Sequence, residues 1–306
     1  MNGMNATAHP AQPQRTPRVL DGIGAAVWLE AQLDTHLARS TDVRAAVAET
    51  LGRALSGLRA AALIDGSDAA ACRDLLSHAA HRHVAFVAYV VATAPPAHAS
   101  TDGTGHDSLH VLADSGSVVL VARNVQEVID LGIAARRIAE TLLQPVLVAM
   151  DREQTAESVQ DVVLPQQELL AAHLGAAADV VDCTSFVQQA LFGEQRRRLP
   201  RWFDLERPVS LGARQTGALW GRSVAARQAY ELAAIAPTVL EQLGQTAARL
   251  GRPLALFSEH QTRGAETLII AMGASIESAE TACTQLRADR KKVGVLGVRC
   301  LQPLPT

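Results

Sequence analysis

VVLVARNVQEVIDLGIAARRIAETLLQPVLVAM, residues 118–150, reads as a strand, a helix and a second strand. Val118-Val119-Leu120-Val121 is a short apolar run without alternation, the pattern of a strand covered on both faces. Asn124 then offers a side-chain oxygen to the open N–H groups of a helix start, with Glu127 at the third position. Val128, Leu131, Ala135 and Ile138 follow at helical spacing, and Val146 to Ala149 is another buried run. Short apolar strands alternating with amphipathic helices predict an α/β fold with a parallel sheet.

The same unit extends upstream. Val19 to Ala38 and Asp42 to Leu58 carry helical patterns, the first through Val27, Leu29, Leu33 and Leu37. Ala60 to Ile64 predicts a strand, Asp65-Gly66-Ser67 a tight turn, and Ser67 or Asp68 the cap of a helix through Leu75 and Leu76. Val84 to Val91 is a further buried strand, followed by a polar loop from Pro95-Pro96 to Asp107. Downstream, Pro165–Leu174 and Ala178–Phe192 read as helical, as does a long stretch from about Ala225 to Leu250 closed by Gly251-Arg252-Pro253. Leu254 to Phe257 predicts the last strand of a first domain and Glu259 to Ala265 a linker. Thr267–Met272, Ser275–Leu286 and Val293–Val298 then form a fresh βαβ unit.

These boundaries give a disordered tail over 1–18, a first domain over 19–258 and a short second domain over 259–306. An isolated βαβ unit cannot cover both faces of its sheet. The second domain is therefore expected to pack on the first or on another chain, and a homo-oligomer is one way to achieve this.

Composition narrows the function classes. Of 306 residues 48% are hydrophobic, yet no apolar run approaches the roughly eighteen needed to cross a membrane. Lys and Arg number 28 against 31 Asp and Glu, a net charge of -3, which removes the electrostatic basis for a nucleic-acid or anionic-membrane partner. Cys72, Cys183, Cys283 and Cys300 form no CxxC pair and predict a reducing, cytoplasmic setting. No secretory signal is evident.

The end of the chain carries a resemblance. Glu266-Thr267-Leu268-Ile269-Ile270-Ala271-Met272-Gly273, then Lys292-Val293-Gly294-Val295-Leu296-Gly297-Val298-Arg299 and Gln302-Pro303, resembles the start of the second core domain of pyruvate:ferredoxin (flavodoxin) oxidoreductases. Asn124 to Leu131, Leu20-Asp21-Gly22 with Ala25 to Trp28, and Leu250 to Leu254 are similar to segments of the same family. The resemblance implies a thiamine-diphosphate-binding-like (pyrimidine-domain) parallel sheet with flanking helices, followed by a truncated βαβ unit. It also implies a carboxylate that hydrogen-bonds the cofactor's aminopyrimidine, and a Thr and an Arg that hold the substrate carboxylate.

The sequence departs from that pattern. The family's Pro-Ile-Thr-Pro-Ser segment finds Gln32-Leu33-Asp34-Thr35-His36-Leu37 in its place, and the Arg position aligns with Thr93, which cannot clamp a carboxylate with two parallel bonds. The catalytic carboxylate falls near Glu49, without the glycines that should follow it. The expected function is thus a non-catalytic or degenerate subunit, a scaffold in a redox assembly that binds no cofactor by itself. The expected partner is a flavin or iron–sulfur redox subunit. A link to sulfite reduction is suggested by similarity to the N-terminal region of some sulfite reductase flavoproteins. The alternative is a split subunit of a thiamine-diphosphate-dependent 2-oxoacid:ferredoxin oxidoreductase, with Glu49 acting in trans.

Arg196-Arg197-Arg198 is the densest positive charge and the expected docking patch, flanked by Trp202 and Phe203. His78, His81 and His83 have helical spacing for metal ligands, but no further ligand completes a set and solvated helix-end residues are the expectation. His106-Asp107 and His110 are a loop cluster able to touch a partner. Gly212–Gly221 lacks the phosphate-loop pattern, and Gly22 with Gly24 lacks the third glycine of a dinucleotide fingerprint.

Overall fold

The uninterrupted apolar runs form the centre of a six-stranded sheet, and they lack alternation because helices cover both of its faces. The computed structural model describes residues 16–94, 103–206 and 216–304. In chain order the first half runs β1 (Thr16–Leu20), α1 (Gly22–Gln32), β2 (His36–Ala38), α2 (Val43–Leu55), β3 (Ala60–Asp65), α3 (Arg73–His81), β4 (Val87–Ala92), α4 (Asp107–Ala113), β5 (Val118–Ala122), α5 (Val125–Leu142) and β6 (Val146–Asp151). The second half runs β7 (Gln160–Leu164), α6 (Gln167–Leu174), β8 (Val180–Asp182), α7 (Phe186–Phe192), β9 (Gln195–Arg197), α8 (Ala218–Arg227), α9 (Ala233–Leu250), β10 (Phe257–His260), β11 (Thr267–Met272), α10 (Ser275–Ala288), β12 (Val293–Val298) and β13 (Cys300–Gln302).

The main sheet has the order β13-β5-β6-β4-β3-β2, parallel from β5 to β2 with β13 antiparallel on β5. Val87, Tyr89, Leu120 and Val148 face one core with Leu29 of α1, Ile129 of α5 and Val239 of α9. Ala88, Val90, Val119 and Leu147 face the other with Val47 of α2, Leu76 of α3 and Leu109 of α4. The alternation that a one-sided sheet would show is thus present in space and hidden in the sequence.

Helix α5 begins as its sequence dictates, with the Asn124 side chain accepting from the Glu127 amide at 3.0 Å. Beyond its apolar stripe it carries buried charges to each neighbour. Arg136 donates to Glu30 of α1 at 2.6 Å and to the Ala60 carbonyl at 3.0 Å, and Tyr89 donates to the other Glu30 oxygen at 2.8 Å. Glu140 receives Arg59, Asp130 receives Arg252, and Glu127 receives Arg299 at 2.7 Å. Burial, then the Glu30 charge, pushes the Tyr89 hydroxyl well above its ordinary range, so it stays a donor.

Several expectations are corrected. Thr16–Arg18 are not disordered: they open β1, which pairs antiparallel with β7. The stretch Val19–Ala38 is not one helix, because Asp34 takes φ +50 and the chain re-enters the sheet as β2. Asp65, not Ser67 or Asp68, caps the following segment, accepting from the Ser67 amide at 3.0 Å. Ala178–Phe192 divides into β8 and α7, and the long helix divides into α8 and α9 around one wide turn, Gln228–Leu232. The strand expected over Leu254–Phe257 starts only at Phe257: β10 runs to His260, into the expected linker, and pairs with β12 in a separate sheet of order β10-β12-β11 rather than closing the first domain. The Pro95-Pro96 loop, Gly212 and Arg214 lie outside the described residues.

Candidate functional site

In a parallel sheet the strand carboxyl ends collect loop residues, and the crevice where the chain reverses its order across the sheet is the usual ligand site. Here strand addition runs β2, β3, β4 and then jumps to β5, with β6 returning between. The ends of β4 and β6 bound that crevice. A cavity of about 550 Å³ opens beside it. Ile23, Val43, Leu63 and Val91 supply its apolar walls, and Arg39, Ser40, Thr41, Asp65, Asp68, Arg152 and Glu157 its polar ones.

Asp65 organises these polar groups. One carboxylate oxygen accepts from the Ser67 amide and hydroxyl, at 3.0 and 2.9 Å, and from Thr93 at 3.2 Å; the other accepts from Arg152 at 2.5 Å. Burial alone would raise its pKa, but the Ser67 donors and the Arg152 guanidinium outweigh it and hold the carboxyl below the usual range. Arg152 also donates to Glu157 at 2.8 Å. Gly66 sits so close to the Val91 carbonyl, Ser108 and Thr93 that a side chain there would collide with them.

A second polar junction lies across β6. Asp151 pairs with His106 Nε2 at 2.8 Å and accepts from the Ala274 amide, ahead of α10, at 2.8 Å. Gly273 takes φ +66, and a Cβ there would run into the Asp151 carboxylate. With Arg123–Glu280, Asn124–Glu277, Arg299–Glu127 and β13 against β5, this junction seats the second unit on the first sheet.

Residues singled out by sequence end in different places. Glu49 does not line the cavity; it lies half-exposed on α2, between His36 at 2.8 Å and Arg53 at 3.1 Å. Thr93 is fully buried as a donor to Asp65. The Arg196-Arg197-Arg198 docking patch is corrected: Arg196 is 5% exposed and donates to the carbonyls of Glu140, Thr141, Arg197 and Arg198 and to Gln188. Arg197 donates to the Leu199 carbonyl, and Arg198 to the Ala176 carbonyl while pairing with Asp179. A run of arginines normally marks a solvated face, but here the guanidinium groups satisfy carbonyls left open in the last turn of α5, after α6 and just after β9. Arg196→Ala is expected to cost about 2–3 kcal/mol, by stranding those carbonyls. Urea unfolding at low and high salt should show that loss unchanged, because a buried group is little screened.

His78 and His81 do end α3, but His83 is not solvated; it takes φ +56 near Glu231, and burial lowers its pKa against the pull of that carboxylate. Among the described residues no cluster of three or more His, Cys, Asp and Glu could hold a metal. His106 belongs to the Asp151 junction, whereas His110 lies in the last turn of α4. Trp202 packs edge-on against Phe192, and Phe203 is exposed. Sequence reasoning passed over Arg39-Ser40-Thr41 and Arg152. Their signal was positional: each follows the end of a parallel strand.

The resemblance implies a carboxylate that hydrogen-bonds the cofactor's aminopyrimidine. Its oxygen has to be available to the ring. Asp65 and Glu157 are engaged by Arg152, Asp68 is exposed at the rim, and Glu49 faces elsewhere.

Known proteins share this architecture. Residues 9–191 match the family described as "Pyruvate flavodoxin/ferredoxin oxidoreductase, thiamine diP-bdg", and residues 265–306 match "Pyruvate:ferredoxin oxidoreductase core domain II". The pyruvate:ferredoxin oxidoreductase of Moorella thermoacetica is 28% identical over 71% of this chain, which spans 17% of that protein. The pyruvate synthase subunit PorA of Methanocaldococcus jannaschii is 23% identical over 97% of this chain and 72% of its own length. A solved 2-oxoglutarate:ferredoxin oxidoreductase from Magnetococcus marinus superposes with TM-score 0.65 at 17% identity, covering 98% of this chain and 57% of that one. No described helix is long and apolar enough to cross a membrane.

Proposed function

The chain belongs to the pyruvate flavodoxin/ferredoxin oxidoreductase family, and on that premise we propose that it is a non-catalytic subunit of a redox assembly. The observation that carries this reading is the engaged state of the cavity. Asp65 is held ionised by its own donors and Arg152, and a buried threonine stands where the resemblance asks for a substrate-binding arginine. A group saturated by the protein has little to offer an incoming ring or carboxylate.

In this reading the chain binds no thiamine diphosphate, and its role is to position a flavin- or iron–sulfur-bearing partner subunit. Sulfite reduction is one setting, by analogy with some sulfite reductase flavoproteins whose N-terminal region is similar to the first domain. Calorimetric titration of the purified chain with thiamine diphosphate and Mg²⁺ is expected to show no binding, and Glu49→Ala to change nothing.

A second reading is favoured by one observation: the pyruvate synthase subunit PorA resembles the chain along nearly its whole length. In that reading the chain completes a split 2-oxoacid enzyme, with Glu49 serving a cofactor held by another polypeptide. The two readings separate when the titration is repeated with the co-purifying subunit. Cofactor binding that falls about tenfold or more on Glu49→Ala would sink the non-catalytic reading.

A further inference from the structure

The cavity at the strand ends holds charges that its internal network leaves over. Asp65, Arg152 and Glu157 are joined to one another, yet Glu157 uses one oxygen only, and its other oxygen accepts from no described residue. Arg39 and Asp68 line the same cavity from neighbouring loops. Arg39 leaves β2 next to the Ala38–Ala62 register pair, and Asp68 follows β3, the strand alongside. Both side chains are exposed, and among the described residues neither has a hydrogen bond or an ion pair, with the other or elsewhere. The Thr41 hydroxyl, on the same loop as Arg39, is equally uncommitted among those residues.

Unpaired charges are common on a surface. These two differ in having opposite sign and in sharing a cavity with apolar walls, where Ile23, Val43, Leu63 and Val91 offer contact to methylene groups. The balance around the cavity is Arg39 and Arg152 against Asp65, Asp68 and Glu157, an excess of one negative charge. A ligand that is only anionic, such as a 2-oxo acid or a diphosphate, would add to that excess. A better match carries a carboxylate for Arg39, an ammonium group for Asp68 and one further positive charge.

We propose that this cavity binds a basic α-amino acid. The proposal rests on the reading of the chain as a subunit that holds no thiamine diphosphate, which leaves the space at the strand ends to another molecule. The α-carboxylate takes the Arg39 guanidinium, whose planar fork matches two carboxylate oxygens, with the Thr41 hydroxyl as a further donor. The α-ammonium group meets Asp68. The methylene stem lies along Leu63 and Val91, as lysine stems lie along apolar surface in proteins, and the side-chain cation reaches the open oxygen of Glu157. Every charge then has a counterpart, and the occupied cavity is neutral. Asp65 contributes at one remove, by holding Arg152, which in turn holds Glu157.

Calorimetric titration of the full chain with L-lysine is expected to show one site with a dissociation constant of about 1 mM or tighter. Arg39→Gln and Asp68→Asn should each weaken that binding about tenfold or more. Both side chains are exposed and unpaired, so neither change should move the urea midpoint of the free chain, while saturating lysine should raise the midpoint of the unaltered one. L-norleucine keeps the head group and the stem without the last charge, and should bind about fivefold more weakly or worse. Pyruvate should not bind.

Absence of lysine binding overturns the proposal, as does lysine binding that both substitutions leave unchanged. Norleucine or pyruvate bound as tightly as lysine overturns it equally, because the charge balance would then not select the ligand. The thiamine diphosphate titration keeps the two conclusions apart. Binding of neither molecule removes the amino-acid site alone, whereas thiamine diphosphate bound by the purified chain removes the reading beneath it.

Discussion

Glu30→Ala is expected to remove about 3–5 kcal/mol of stability, read as a lower urea midpoint with an unchanged slope. Glu30 and Arg136 are each 1% exposed, and Tyr89 is completely buried. Deleting the carboxylate leaves a guanidinium without its countercharge in a medium that cannot hydrate it, and leaves the Tyr89 hydroxyl without an acceptor. The pair also has a signature that a merely tight core would lack. Replacing both partners by apolar residues, Glu30→Leu with Arg136→Met, should recover most of the loss, because two desolvation costs vanish together with their attraction. If the double variant is no more stable than the single one, packing rather than charge pairing governs the site.

Gly273→Ala is expected to cost about 2–5 kcal/mol, concentrated where the second unit meets the first sheet. A non-glycine residue held left-handed costs roughly 1–2 kcal/mol, and displacing the Asp151 carboxylate costs about 1–3 kcal/mol more in stranded hydrogen bonds. Limited proteolysis should find new cleavage in the 261–266 connection while the main sheet resists. The conformation alone would account for an effect of the first size, so Asp151→Ala combined with Gly273→Ala separates the terms. Cleavage that is unchanged in Gly273→Ala would show that the junction does not hold the unit in place.

The central strands were legible because burial on both faces erases alternation and leaves runs such as Val118–Val121. The start of α5 was legible for a different reason: Asn124 is a local signal, complete within four residues. Strand β1 was not, because Thr16–Leu20 is a strand only through its pairing with β7, far along the chain. Nor were β8 and β9, each only three residues long: Val180–Asp182 is mostly exposed, and Gln195–Arg197 is wholly polar. Arg196 defeated the reading most fully. Charge in a row predicts water, and only the open carbonyls at the end of α5 and beside β9 reveal why this guanidinium lies inside. The cavity was partly visible through Asp65, whose turn the sequence marked. Arg39 and Arg152 gave no motif, only their place after a strand.

Helix α5 reaches α1, the segment before β3, the loop after α9 and the second unit, with one buried ion pair for each. Each neighbour therefore meets a countercharge on α5, Glu127 being shared with Arg123 and Glu140 with Arg198, and an element docked in the wrong place would leave buried charge uncompensated. This restricts how the sequence can drift. A change to one member of a pair is harmful alone and tolerable with its mate, so these positions are expected to vary in twos across related chains. The apolar stripe of the same helix, which tolerates volume-conserving exchange, is free to vary singly.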